Sequence, residues 1–134
     1  MLCEIASGAA GAHVIDSTGM AIAILDAFPV ARGHSLVLPK AHRARVEEMG
    51  AAECAEVFEL ARRVAARVSA VHGDSLIAVH NGPRAGQEIP HAHVHIVPRS
   101  EGDGAGPIHS MFGGPHSRAP DAELAAELGA IRAA

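Results

Sequence analysis

The chain has 134 residues, enough for one domain with a single core and short for two. Hydrophobic residues make up 49% and charged residues 19%, which places it among globular rather than disordered chains. A net charge of −4, with 11 scattered Lys and Arg, argues against a basic stripe for long nucleic acid and leaves room for a small anionic ligand in a local pocket.

The N-terminal stretch MLCEIASGAAGAHVID has no basic leader region. No run approaches the roughly 18 apolar residues of a membrane span. Two cysteines, Cys3 and Cys54, make no disulfide framework, so the expected location is cytoplasmic.

In chain order, apolar runs predict strands over His13 to Asp16 and Met20 to Asp26, separated by a turn at Ser17, Thr18 and Gly19. Met20, Ile22, Ile24 and Asp26 share one face of the second strand by period two. A third strand is expected from Ser35 to Leu38, between Gly33 and Pro39.

One long helix follows. Val46, Met49, Val57, Leu60, Val64, Val68 and Val71 fit a single apolar stripe, and Gly73 is a natural stop. Glu47, Glu48 and Glu53 lie early, and Arg62, Arg63 and Arg67 late, as the helix dipole favours.

Ser75 to Val79 predicts a fourth strand leading into a turn at Asn81, Gly82 and Pro83, and His91 to Val97 a fifth ended by Pro98. Residues 100–118, rich in Gly, Ser, Pro and His, are expected to form a mobile loop. A closing helix is expected over about 121–132, with Leu124, Leu128 and Ile131 on one side. With neither repeat nor linker, residues 1–134 are expected to form a single α+β domain.

Chemistry concentrates in HNGPRAGQEIPHAHVHIVPR, residues 80–99. His91, His93 and His95 alternate with Ala92, Val94 and Ile96, so a strand would set three imidazoles on one face, about 6.6 Å apart. Such a row suits one extended polar substrate. Metal binding is the competing interpretation, since an H-x-H pair can present two nitrogens to zinc. Against it, there is no H-E-x-x-H or C-x-x-C, and Glu88 is the only neighbouring carboxylate.

The H-x-H-x-H pattern with two apolar residues after it and Gly86-Gln87 upstream resembles the histidine-triad (HIT) family. The stretch PVARGHSLVLPKAH, residues 29–42, resembles that family's second characteristic segment. The ending Val97-Pro98-Arg99 is more similar to the fragile-histidine-triad branch and its bacterial relatives than to the phosphoramidase branch.

The resemblance implies an antiparallel sheet of about five strands, a symmetric homodimer and nucleotidyl hydrolase or transferase chemistry at a nucleotide α-phosphate. It gives His93 the role of nucleophile, through a covalent nucleotidyl intermediate. His95 would assist the leaving group, His91 and its backbone would orient His93, and His34 would complete the cluster. Asp26 would contact the ribose, and His80, Gly86, Gln87 and Glu88 the phosphates. Leu2, Ile5, Ile24 and Leu36 would sandwich the base. Parity agrees, because Ile24 shares a face with Asp26 and Leu36 with His34. With three Phe and no Tyr or Trp, base selectivity is expected to be weak.

Departures from the family pattern carry their own expectations. Only Cys3 stands near the N-terminus to join His42 and His91, so no structural zinc is expected there, and no cofactor is expected at the chemical step. His80 stands where relatives carry Asn or Gln, and Glu88 where Ser or Thr is common. Lys40, His109 and His116 are expected to be ordinary exposed residues. A metal-dependent hydrolase using the same histidines, and a slow nucleotide- or partner-binding module, stay open on the residues alone.

Overall fold

The computed structural model describes residues 2–6 and 11–134, apart from the side chains of Cys3 and Ala6. The chain divides into two compact units, one ending at Glu101 and the other spanning Gly102–Ala134. The first carries a short helix α1 (Leu2–Ala6), strands β1 (Val14–Ser17), β2 (Ala21–Leu25) and β3 (Ser35–Pro39), the long helix α2 (Ala51–His72), and strands β4 (Asp74–Ala78) and β5 (Val94–Arg99). The strands form one five-stranded antiparallel sheet in the order β1-β2-β3-β5-β4.

Period-two alternation splits the strand residues between two faces. One face sends Ala21, Ala23, Val37, Val94 and Ile96 against Val57, Leu60, Ala61, Val64 and Val68 of α2. Small and β-branched side chains on the sheet let the helix approach closely. The other face carries Ile22, Ile24, Leu36 and Leu38, and Leu2 of α1 packs onto it. The register sets Ile24 opposite Leu36, and Leu36 opposite His95, in one transverse row. That row joins an apolar floor directly to a histidine.

The helix boundary differs from the expected one. Residues Val46–Glu48 form a separate 3-10 turn, and α2 begins only after Gly50. Gly50 is extended and its amide donates to Glu53 Oε1 at 3.1 Å, while Cys54 N donates to the Gly50 carbonyl. Glu53, 6% exposed, also receives Arg43 Nε at 3.0 Å, and both contacts hold its carboxyl below the usual range, the Arg43 bond most of all. A glycine and a buried ion pair thus stop a stripe that the apolar spacing would have continued. Met49 still packs against the core.

The second unit contains a 3-10 turn at Ile108–Met111, inside the segment expected to be loop, and helix α3 (Asp121–Ala133), close to the expected bounds. Asp121 at the start of α3 pairs with Arg118 at 2.7 Å. No helix among the described residues is long and apolar enough to cross a membrane.

Candidate active site

The three histidines do not form a row on one strand. The strand β5 begins at Val94, so of the triad only His95 lies in the sheet. Extending the β3–β5 register from Val37↔Val94 would bring Ala92 to Pro39, which has no N–H to donate. The Ala92 amide donates instead to the Arg43 carbonyl at 2.7 Å, and a tight turn bonds His91 N to the Ile89 carbonyl. The expected stop at Pro98 is also displaced. Pairing with β3 ends at Ile96, so at Pro98 only β4 lies alongside, and the strand runs on to Arg99.

The bend gives each imidazole its own hydrogen-bond partner, and those partners fix the ring protons. His91 is 1% exposed, and its Nε2 donates to the Pro39 carbonyl at 2.8 Å. His93 Nδ1 donates to the His91 carbonyl at 2.7 Å. A carbonyl only accepts, so neutral His93 carries its proton on Nδ1 and a lone pair on Nε2. The backbone of His91, not its ring, therefore orients His93.

A second chain of bonds sets His95. The Val30 amide donates to His34 Nδ1 at 3.2 Å, which places the neutral His34 proton on Nε2. His34 Nε2 then donates to His95 Nδ1 at 2.9 Å. The remaining His95 proton lies on Nε2, a buried atom with no partner among the described residues. A buried donor left open at a cavity is a position made for an acceptor.

Burial disfavours the charged forms of His34, His91 and His95. His95 is pushed down to about 4, first by burial and then by the neighbouring His93, His34 and His80, with Asp26 opposing. His34 is lowered by burial against the opposing Asp26 carboxylate, and His91 by burial against its bond to Pro39.

The imidazoles open onto a cavity of about 650 Å³. Its polar wall is His34, His80, His93 and His95 with Asp26, Gly86 and Glu88. Its apolar wall includes Leu2, Ile5, Leu36 and Ile89. Three of the four residues expected at the base pocket therefore line it. Ile24 does not; it lies beneath, in the cluster with Leu36 and Leu2. Asp26 Oδ1 accepts the Phe28 amide at 2.9 Å, and Oδ2 sits 3.6 Å from His34 Nδ1. Phe28, Val30, Ala12 and His13 also line the cavity and were not singled out from the sequence.

Gln87 is not among the lining residues. Its Oε1 accepts the Gly82 amide at 2.8 Å, and its Nε2 donates to the Ala44 and Ile89 carbonyls at 2.7 and 3.0 Å. Its side chain ties the loop together instead of facing a ligand. The backbone amides of Gly86 and Gln87 are also committed, to Pro83 and Gly82 carbonyls, so the expected pair of phosphate donors is already spent. The Glu88 amide has no partner among the described residues. Lys40 donates to the Thr18 carbonyl, away from the cavity.

Asp26, His34 and His95 are the one described trio whose potential metal-ligating atoms lie within 4.8 Å of one another. The nitrogens facing each other there already form the His34–His95 bond, and His34 Nδ1 holds the Val30 amide, so an ion would displace that network. His42 meets His91 edge-on at 5.5 Å between ring centroids, but His91 Nε2 is taken by Pro39. The Cys3 side chain lies outside the described residues.

The chain is 37% identical over 108 residues to an adenylylsulfatase of Arabidopsis thaliana, covering 77% of this chain and 53% of that protein. It is 31% identical over 99 residues to an adenosine 5'-monophosphoramidase of Schizosaccharomyces pombe, covering 74% and 73%. A solved structure from Leishmania major, described as a hypothetical protein, aligns with a TM-score of 0.83 at 30% identity, over 98% of this chain and 92% of that one. The HIT domain model matches residues 7–102, and on that match and these relatives the chain belongs to the HIT family.

Proposed function

We propose that this protein is a nucleotidyl hydrolase or transferase that acts at a nucleotide α-phosphate, with His93 as the nucleophile. The observation that carries the proposal is the fixed tautomer of His93, whose Nδ1 proton is held by the His91 carbonyl at 2.7 Å while its ring lines the cavity. A neutral imidazole with its lone pair on Nε2 is the form that attacks phosphorus. The His34–His95 bond leaves the His95 Nε2 proton free for the departing oxygen.

In the first step the His93 Nε2 lone pair forms a bond to the α-phosphorus, and the bond from phosphorus to the leaving group breaks. The leaving group takes that electron pair and accepts a hydrogen bond from His95 Nε2, and an amine leaving group also takes up a proton from solvent. In the second step the oxygen of a water bonds to phosphorus, and the phosphorus–nitrogen pair returns to His93. The water's proton passes to solvent, and a nucleoside monophosphate is released. Leu2, Ile5, Leu36 and Ile89 on the cavity wall would meet the base, and Asp26 on the same cavity would accept from a ribose hydroxyl. An adenylylsulfatase and a phosphoramidase among the relatives support the α-phosphate as the common reacting centre. The symmetric homodimer and cytoplasmic location belong to the same proposal, and sedimentation tests the dimer.

The test is turnover of a dinucleoside tetraphosphate, adenosine phosphoramidate and adenylyl sulfate in the presence of EDTA, beside a His93→Ala variant. Monophosphate release that survives chelation and disappears in the variant supports the proposal. Activity abolished by EDTA supports a metal-dependent hydrolase, and tight nucleotide binding without turnover supports a binding module.

A further inference from the structure

Among the described residues lining the cavity there is no lysine and no arginine. Its carboxylates are Asp26 and Glu88, and its imidazoles are His13, His34, His80, His93 and His95. A phosphorylated ligand in this cavity meets a cationic side chain only where an imidazole takes up a proton.

The imidazoles are not equivalent in that respect. His34 and His95 are buried and joined to each other, with the Val30 amide occupying the outer nitrogen of His34. His93 needs an open lone pair to attack. His13 is exposed and makes no ring contact with the cluster. His80 is half-buried, and its ring centroid lies 4.9 Å from that of His95. Neither of its nitrogens is bonded to a described residue. Gly86 backs the ring closely, since a Cβ built there would stand 3.7 Å from it. His80 is thus a ring without a hydrogen-bond partner among the described residues, in ring contact with His95, whose Nε2 proton is also open.

We propose that His80 is the protonatable anion receptor of this cavity, and that it biases the site toward substrates whose leaving group is an oxyanion, phosphate or sulfate, over those that release an amine. This deepens the nucleotidyl-transfer proposal and rests on it. All candidate substrates present the same α-phosphate, and they differ in the charge of the departing part. An imidazolium at His80 attracts a departing phosphate or sulfate and gives no such advantage to a neutral amine. The other titratable groups around it are His95 on β5, Glu88 on the loop after Gly86, and Asp26, His34 and His93 in the same cavity. A protonated His80 holds an oxyanion substrate more tightly than a neutral one. The open lone pair of His93 governs the chemical step, so the two roles separate into KM and kcat.

The test uses the full chain, its His80→Asn and His80→Gln variants, and pH profiles from about 5.5 to 8.5, which span the range in which imidazoles titrate. For adenylyl sulfate and a dinucleoside tetraphosphate, KM in the parent should fall several-fold toward acid pH, and the fall should vanish in both variants. The preference for these substrates over adenosine phosphoramidate, as a ratio of kcat/KM, should drop about tenfold, which corresponds to about 1.4 kcal/mol. Calorimetry in buffers of different ionisation enthalpy gives a second readout that needs no turnover. The parent should take up a proton on binding adenosine triphosphate and less on binding the monophosphate, and the variants should not. An unchanged KM profile, an unchanged preference, or unchanged proton uptake in the variants overturns the role of His80. Absence of turnover of every substrate by the parent counts against the nucleotidyl-transfer proposal instead, and the calorimetry still decides whether His80 receives the anion.

Discussion

The two faces of the sheet are built from the same strands and do different work. The face under α2 is dry and uniform, with Ala21, Ala23, Val37, Val94 and Ile96 meeting five buried helix residues. The opposite face begins the same way, with Ile22, Ile24, Leu36 and Leu38, but among the described residues it packs with the five-residue α1, Ala12 and Ile89, and it gives way to a cavity walled by imidazoles. Neighbouring residues on β3 and β5 thus serve opposite ends: Val37 and Val94 close the core, while Leu36 and His95 face the cavity side.

The sharpest way to break this division is to alter one residue on each side. His93→Ala should lower turnover by roughly four orders of magnitude or more, as loss of a nucleophile does. It should leave the melting temperature near that of the parent. Leu60→Ala, fully buried beneath the helix face, should destabilise by about 2–5 kcal/mol, read by urea unfolding, with little change in KM. If His93→Ala melts early, or Leu60→Ala raises KM strongly, the two faces are energetically one system.

The helix face was the more legible of the two. Period-two runs located the strands, and a stripe from Val57 to Val68 located α2, because both patterns record burial that recurs along the chain. The helix start was misplaced because Val46 and Met49 fit the stripe. The cause of the break, Gly50 capped by Glu53 and Glu53 held by Arg43, is a tertiary arrangement. α1 went unnoticed, being only five residues long.

On the site face, residue types were informative and partners were not. The alternation of His91, His93 and His95 predicts one row on a strand, whereas the bend that separates them depends on Pro39 lacking an N–H and on the Arg43 carbonyl. The tautomers of His34, His93 and His95 are set by the Val30 amide and the His91 carbonyl, and backbone groups leave no mark on residue identity. Gln87 shows the converse. Its identity suggested a ligand contact, but its amide joins backbone groups of Gly82, Ile89 and the distant Ala44.

Acid should separate the faces as well, because only one contains depressed imidazoles. His95 is held at about 4 against an ordinary value of 6.5, and His34 and His91 are also lowered. Between those limits the unfolded chain binds more protons than the folded one, so stability rises with pH. The contribution is complete above about 6.5 and is lost as pH falls toward 4. Allowing for the partial exposure of His95, the loss is on the order of 2 kcal/mol. Urea midpoints at neutral and acid pH should show it in the parent and in Leu60→Ala equally. A smaller acid loss in His95→Asn would tie it to the site, whereas an identical loss would place its origin elsewhere.

The smallest expected effect concerns the loop that backs His80. Gly86 has φ 95° and ψ 10°, in the left-handed region where a side chain costs about 1 kcal/mol. Space is not the obstacle, because an added Cβ would stand at an ordinary 3.7 Å from the His80 ring. Gly86→Ala should therefore lower stability by about 1 kcal/mol if the loop keeps its shape. If the loop relaxes instead, the strain leaves the fold and enters the site. The turn joining Gly82 to Gln87 would shift, His80 would move from His95, and KM for an oxyanion substrate would rise while the melting temperature held. Measuring both quantities on one variant shows whether the strain is carried by the scaffold or by the anion site, and so how rigidly the open face is tied to the closed one.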